Sequence, residues 1–100
     1  MNLIINFVGS NMILDNYDYS LDKFVYNDKI LKVQNPIQEL IHLISMVSNW
    51  DNTTIDSVKD GVEVIVEVEN STYKYVFENA SLPSNFMSFM HEVKRLIMEV

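Results

Sequence analysis

The chain has 100 residues, of which 48% are hydrophobic and 21% are charged, a composition typical of one folded domain and not of a disordered chain. It contains no cysteine, which excludes a disulfide framework, a thiolate metal site and a cysteine nucleophile. No apolar stretch is long enough to cross a bilayer, and the first residues do not match a secretory signal. We therefore expect a cytoplasmic protein with a single domain over residues 1–100.

The net charge of −7 is distributed unevenly along the chain. Residues 1–50 contain five acidic and three basic side chains, whereas residues 51–100 contain nine and four. A negative field of this kind repels nucleic-acid phosphates and anionic lipid, and it attracts basic surfaces. We therefore expect a basic protein partner, with no direct contact to nucleic acid or a membrane. The alternative is that the acidic surface serves only solubility.

The start of the chain predicts a β-hairpin. Apolar residues alternate over residues 3–8, and a turn at Gly9 separates them from the apolar run 12–14. A type II′ turn at this glycine places Phe7 opposite Met12. The predicted core face then contains residues of both strands: Leu3, Ile5, Phe7, Met12 and Leu14.

Residues 15–22 are rich in polar and turn-forming types, so they predict a loop. Within this loop, tyrosines and carboxylates are interspersed: Asp15, Tyr17, Asp18, Tyr19 and Asp22. Residues 24–26 and 30–33 then flank a turn signal at Asn27 and Asp28, and they predict a second, shorter hairpin.

Two segments predict helices. Asn35 suits the N-cap and Pro36 the first helical position, with Gln38 completing a capping box, and the apolar periodicity continues to about Trp50. Apolar residues occupy most of the circumference of this helix, which predicts that it is largely buried. Residues 81–83 begin a second helix. Its predicted apolar stripe consists of Phe86, Phe89, Met90, Val93, Leu96, Ile97 and Val100.

A further hairpin lies between the two helices. Residues 62–69 and 72–78 both alternate, and Asn70 and Ser71 separate them as a two-residue turn. The resulting register pairs β-branched with aromatic residues: Val68 with Tyr73, Val66 with Tyr75 and Val64 with Phe77. The same register places Glu67 opposite Lys74, so the other face is acidic around an apolar centre. The acidic side chains of this hairpin are Glu63, Glu67, Glu69 and Glu78.

These elements together predict an α+β domain. Their order is β-β-β-β-α-β-β-α, and the expected architecture is an antiparallel sheet of about four to six strands with two helices packed on one face.

A calcium site is a hypothesis that the sequence disfavours. Asp18, Ser20 and Asp22 match the first ligand positions of an EF-hand loop. Lys23 stands where that loop needs glycine, however, and Lys29 stands where it needs a bidentate glutamate. We predict no metal and no cofactor.

The sequence also contains no recognisable catalytic motif. His42 and His91 lie on different predicted helices without metal-ligand spacing, and the two glycines cannot form a phosphate-binding loop. We therefore predict a protein that is not an enzyme. A pocket that joins either histidine to a carboxylate is the alternative.

Protein recognition is the remaining function class, and two surfaces are candidates for it. The first is the loop of residues 15–22, in which Tyr17 and Tyr19 supply rigid anchors among carboxylates. The second is the acidic outer face of the hairpin at residues 62–78. A homodimer is also possible, through Leu43, Met46 and Trp50 of the first helix.

Three short patterns in residues 36–100 resemble a known group of proteins. They are Trp50, Asp60 followed by Gly61 before a strand, and Pro83-x-Asn85-Phe86-x-x-Phe89 at the start of the last helix. This part of the chain resembles small bacterial immunity proteins of polymorphic or contact-dependent growth-inhibition toxin systems. The resemblance implies a cytoplasmic protein that binds one cognate toxin domain, often a basic nuclease, and blocks its active site or substrate path. No binding residue transfers from this varied group. The alternatives are a phage-type inhibitor that mimics nucleic acid and a homodimeric structural module.

Overall fold

The computed structural model describes residues 1–51 and 58–98. The strands are β1 (Asn2–Gly9), β2 (Met12–Ser20), β3 (Phe24–Tyr26), β4 (Lys29–Leu31), β5 (Gly61–Val68) and β6 (Ser71–Glu78), and the helices are α1 (Pro36–Val47) and α2 (Phe86–Met98). The strands form one antiparallel sheet in the order β4-β3-β2-β1-β5-β6. The predicted α+β class and the predicted element order are therefore confirmed.

The β1–β2 hairpin forms in a different register from the predicted one. Its turn consists of Ser10 and Asn11, which both have positive φ, so Gly9 pairs with Met12. A turn with two left-handed residues matches the right-handed twist of the flanking strands. The turn predicted at Gly9 does not form. A β-bulge after Phe7 then shifts the pairing. Met12 and Leu14 are consequently exposed, and their predicted place in the core is wrong.

The prediction of a loop over residues 15–22 is also wrong, because β2 continues to Ser20. Tyr17 and Tyr19 alternate with exposed Asp18, which is the period of a strand with one buried face. Both tyrosine rings lie in the core, at 1% and 0% exposure, and the Tyr19 hydroxyl donates a hydrogen bond to the Val93 carbonyl at 3.1 Å. Buried rings of this kind cannot serve as the exposed anchors that the sequence predicted.

The β5–β6 hairpin keeps the predicted faces but not the predicted pairs. Its turn consists of Glu69 and Asn70, with positive φ at Glu69, so Val68 pairs with Ser71. This shifts each pairing by two residues, and Lys74 lies opposite Ile65 rather than opposite Glu67. A two-residue shift leaves every side chain on its original face, because side chains alternate with a period of two.

The β3–β4 hairpin forms with the predicted turn, although β4 spans Lys29–Leu31 and not the predicted residues 30–33. Asn27 and Asp28 form the turn with positive φ, as Asn and Asp tolerate better than most residues. Phe24 pairs with Leu31, and both side chains are buried in the core.

Both predicted helices are present, with shorter bounds. Asn35 lies in the left-handed region and its side chain forms no capping hydrogen bond, so the predicted capping box is wrong. Ile37 and Ile41 are 56% and 50% exposed, which makes α1 less buried than predicted. The α2 helix begins after Pro83, at Phe86. Its buried residues confirm the predicted stripe: Phe86, Phe89, Met90, Val93 and Leu96. The predicted stripe also included Val100, which lies outside the described residues.

The core lies between the sheet and the two helices, which run antiparallel. Glu39 near the start of α1 contacts Arg95 near the end of α2, and Asn85, just before α2, donates a hydrogen bond to the Met46 carbonyl at 2.9 Å. Leu43 and Trp50 are buried in this core and Met46 packs partly buried against it, so these side chains contribute to the core of the single chain. The possible dimer contact through them has no exposed side chain at Leu43 or Trp50.

Alkaline solution is expected to destabilise the protein through its buried tyrosines. Burial raises the pKa of Tyr17 and Tyr19 well above the ordinary value of about 10, so the folded state keeps protons that the unfolded chain loses. The free energy of unfolding should therefore be unaffected by these groups below about pH 10 and fall above it. Urea unfolding at a series of pH values measures this slope. Tyr19→Phe should make it shallower, and an unchanged slope would contradict burial of Tyr19 as the cause.

Candidate protein-binding face

The two helices cover one face of the sheet. Among residues 1–51 and 58–98, no helix lies on the other face, which we call the open face. One side chain from each strand forms a row across it, in register from edge to edge: Ile30, Val25, Asp18, Ile4, Ile65 and Lys74. On β1, β2 and β5 these positions alternate with buried residues, which explains their placement. On β6, Val76 lies on the same face as Lys74 but is 1% exposed. The row is thus largely aliphatic, and Ile30 at its end is 69% exposed.

Carboxylates flank this row. Glu63 and Glu67 lie on β5 on either side of Ile65, and Glu78 lies on the same face at the end of β6. Asp18 is exposed within the row itself. The structure therefore brings four of the nine predicted site residues onto one surface, although the sequence had assigned Asp18 to a separate loop.

Amide side chains add hydrogen-bonding capacity to the open face. Asn6 and Asn16 are paired across β1 and β2, and the Asn16 amide donates a hydrogen bond to the Asn6 side-chain oxygen. Asn6 also lies opposite Glu63 on β5. Next to the aliphatic row, the face therefore presents both donors and acceptors, which is the mixture found in protein interfaces.

Asp15 does not belong to this surface. It lies opposite Phe7 on the helix side of the sheet. Its carboxylate accepts hydrogen bonds from the Tyr26 hydroxyl at 3.2 Å and from the Asn27 side-chain amide at 2.7 Å. Burial and the neighbouring Asp15 charge raise the pKa of Tyr26. These contacts hold the β3–β4 turn against β2, which is a structural role.

The two remaining predicted carboxylates lie at one end of the sheet. Asp22 is in the β2–β3 connection and Glu69 is in the β5–β6 turn, and both are exposed. At that end of the sheet, Asn2 pairs with both Ser20 and Glu67. The β2–β3 connection and the β5–β6 turn therefore border the same end of the open face.

An apolar hairpin tip adjoins the opposite end of the open face, although Met12 and Leu14 within it are predicted core residues. Met12, Ile13 and Leu14 are 64%, 60% and 63% exposed. Ile13 pairs with Val8, which places it on the open-face side. The Ser10 backbone N–H donates a hydrogen bond to Asp60 Oδ1 at 3.1 Å and ties the tip to the start of β5. No local pattern reveals the bulge that exposes these residues, because bulges depend on strand pairing.

The two histidines lie on the outer surface of the helix layer. His42 Nε2 is 3.3 Å from Glu92 Oε1, with 51% of the His42 side chain exposed, and the pair borders a shallow depression that His91 also lines. His42 is exposed and Glu92 is partly buried, so the pair lies in an open depression and not in a buried pocket. Across residues 1–51 and 58–98, no group of three or more His, Asp or Glu side chains is arranged to hold a metal ion.

Comparison with known proteins identifies no family for this chain. No protein-family model matches this sequence, and neither a curated protein nor a solved structure shows significant similarity to it. In the part of the chain that the structure describes, no helix has both the length and the hydrophobicity needed to cross a membrane.

Proposed function

We propose that this chain is a small protein-binding inhibitor, an immunity protein that neutralises a basic toxin domain by binding it on the open face. The observation that supports this proposal is the largely aliphatic row across six strands, which contains Asp18 and is bordered by Glu63 and Glu67, on the sheet face opposite the two helices. Protein interfaces combine an apolar centre with a polar, charge-complementary rim in this way.

Charge and apolar contact would have separate effects on binding. The net charge of −7 steers a basic domain towards the chain and raises the association rate. The aliphatic row then supplies the apolar area whose burial slows dissociation. The exposed hairpin tip extends this area at one end of the face. Blocking of an active site or substrate path follows from steric exclusion by a bound domain.

The alternative of a nucleic-acid mimic fits this face less well. Such a mimic presents carboxylates at the density of backbone phosphates, one charge about every 1.7 Å along a duplex. Here aliphatic side chains separate the carboxylates of the open face, and Lys74 ends the row with the opposite charge.

Charge reversal on the open face is expected to weaken partner binding by about tenfold or more, since a lost ion pair leaves a charge unpaired in the interface. The tagged chain is co-expressed with the reading frames adjacent to its own, and the captured protein is identified by mass spectrometry. Binding of that purified protein is then measured for the wild type, for Glu63→Lys and for Asp51→Lys. Asp51 is exposed and follows Trp50 on the helix side, so its variant matches the change in net charge without touching the open face.

Three results would contradict the proposal. The first is that no protein is captured at low salt. The second is that Glu63→Lys and Asp51→Lys weaken binding equally, which would show an effect of net charge alone. The third is an association rate that does not fall as salt increases, because steering between opposite charges is screened by salt.

A further inference from the structure

A shallow depression in the helix layer, opposite the open face, combines imidazole and thioether side chains. It is the depression that borders the pair of His42 and Glu92, and side chains of both α1 and α2 line it. Its six lining residues are His42, Met46, Met87, Ser88, His91 and Glu92. Both histidines of the chain and two of its six methionines therefore lie around one depression.

The two helices present these four side chains as matching pairs. His42 and Met46 are four residues apart on α1, and Met87 and His91 are four residues apart on α2. Residues at this spacing are neighbours on one face of a helix. Because α1 and α2 run antiparallel, a histidine followed by a methionine on α1 lies beside a methionine followed by a histidine on α2.

Two contacts between the helices define how these pairs align. His42 Nε2 lies 3.3 Å from Oε1 of Glu92, which directly follows the α2 histidine. Asn85, two residues before the α2 methionine, donates a hydrogen bond to the Met46 carbonyl at 2.9 Å. The two imidazoles therefore lie towards one end of the depression and the two thioethers towards the other.

The side chains of the depression are accessible to a small ligand. Met87 is 76% exposed, and 51% of the His42 side chain is exposed. Methionine is unbranched, with three rotatable bonds and a polarizable sulfur atom, so an exposed methionine adjusts readily to a bound ion.

Glu92 orients His42 for metal binding. A carboxylate beside Nε2 favours a proton on that nitrogen and leaves Nδ1 with its lone pair. A carboxylate at the second ring nitrogen is the usual neighbour of a metal-binding histidine. Glu92 Oε1 also lies 3.6 Å from Arg95 Nε, so this carboxylate is already engaged by a cation.

The chemistry of the four side chains indicates which metal ion fits. Thioethers are soft ligands that select Cu(I), and imidazole also binds copper. Among residues 1–51 and 58–98, no three His, Asp or Glu side chains are arranged to hold a metal, so harder divalent ions lack ligands. The positive charge of Arg95 also repels a divalent ion more strongly than a monovalent one. The sequence prediction of no metal considered imidazole and carboxylate ligands and no thioether.

We propose that the depression binds Cu(I) through the side chains of His42, Met46, Met87 and His91, which we call the His–Met site. The metal keeps its oxidation state on binding. The site lies opposite the open face and does not depend on the proposed inhibitor function.

Methionine methyl NMR of the full chain tests the His–Met site directly. Cu(I), kept reduced and anaerobic, is diamagnetic and leaves the methyl signals observable. One equivalent should shift the methyl signals of Met46 and Met87. The signal of Met12 should stay in place, because this equally exposed methionine lies in the β1–β2 hairpin tip and both histidines lie on helices.

Competition with a chromophoric Cu(I) chelator then measures the affinity of the variants. Met87→Leu keeps the shape of the side chain and removes its sulfur, and His91→Gln removes an imidazole. Each should weaken Cu(I) binding by about tenfold or more, since even the outer-shell partners of metal ligands contribute 10–100-fold. The control is Met12→Leu, which should bind Cu(I) as the wild type does.

Three results would overturn the His–Met site. One is the absence of a shift at Met46 and Met87. Another is an equal shift at Met12, which would show binding to any exposed thioether. The third is Cu(I) binding by Met87→Leu with wild-type affinity, when circular dichroism shows the variant folded. None of these results affects the inhibitor proposal, because partner binding to the open face is measured without copper.

Discussion

Replacing Trp50 by alanine is expected to lower the free energy of unfolding by about 3–5 kcal/mol. Single domains are stable by only about 5–15 kcal/mol, so this loss is a large part of the total. Trp50 has this importance because it joins the end of α1 to both the sheet and α2.

The contacts of Trp50 explain the expected size. Its indole ring packs edge-to-face against Tyr75, Phe77 and Phe89, with ring centroids 5.8, 5.6 and 5.1 Å away. Its N–H donates a hydrogen bond to Asn85 Oδ1 at 2.6 Å. Alanine would leave a cavity among these rings and remove the donor to a half-buried amide oxygen, and both changes are unfavourable.

The matched control for this variant is Met87→Ala on α2. Met87 is 76% exposed, so its truncation should change stability by less than about 0.5 kcal/mol. Urea unfolding followed by circular dichroism measures the free energy of unfolding of both variants. Fluorescence is unsuitable, because Trp50 is the only tryptophan and is lost in Trp50→Ala. A loss below about 1 kcal/mol for Trp50→Ala would contradict its place in the core.

Replacing Gly61 by alanine is expected to destabilise the protein by about 1–3 kcal/mol, although Gly→Ala at a compatible site is usually stabilising. A Cβ at this position would lie 2.0 Å from the Phe77 carbonyl oxygen and 3.1 Å from Glu78 Cα, both of which are backbone atoms of β6. The first residue of β5 or the end of β6 must therefore move, which disturbs their pairing.

The other glycine of the chain is the matched control. A Cβ at Gly9 would lie 2.7 Å from Leu14 Cδ1, which belongs to a flexible side chain that is 63% exposed and can turn aside. Gly9→Ala should therefore be within about 0.5 kcal/mol of the wild type in urea unfolding. If Gly61→Ala and Gly9→Ala lowered the free energy of unfolding equally, a steric cause at Gly61 would be contradicted.

The candidate site was only partly predictable. The alternation of residues 62–69 already placed Glu63 and Glu67 on the outer face, and the structure keeps them there. Asp18 joins them because β2 extends through the segment that polar residue types had marked as a loop. The aliphatic row escaped prediction because it combines residues from strands distant in sequence, such as Ile4 and Ile65, which meet only in the assembled sheet.

Local sequence patterns were sufficient to predict the element order, the α+β class, the buried stripe of α2 and the faces of the β5 and β6 strands. Each of these depends on local periodicity, which side-chain burial imposes within a single element. The registers of the β1–β2 and β5–β6 hairpins and the burial of Tyr17 and Tyr19 depend instead on contacts between elements. A strand register is selected by the neighbouring strands and the core together, and the same chain segment accommodates turns one residue apart. The same holds for the exposed side of α1, because packing against the sheet and α2 buries Leu40, Leu43 and Val47 and leaves Ile37 and Ile41 exposed.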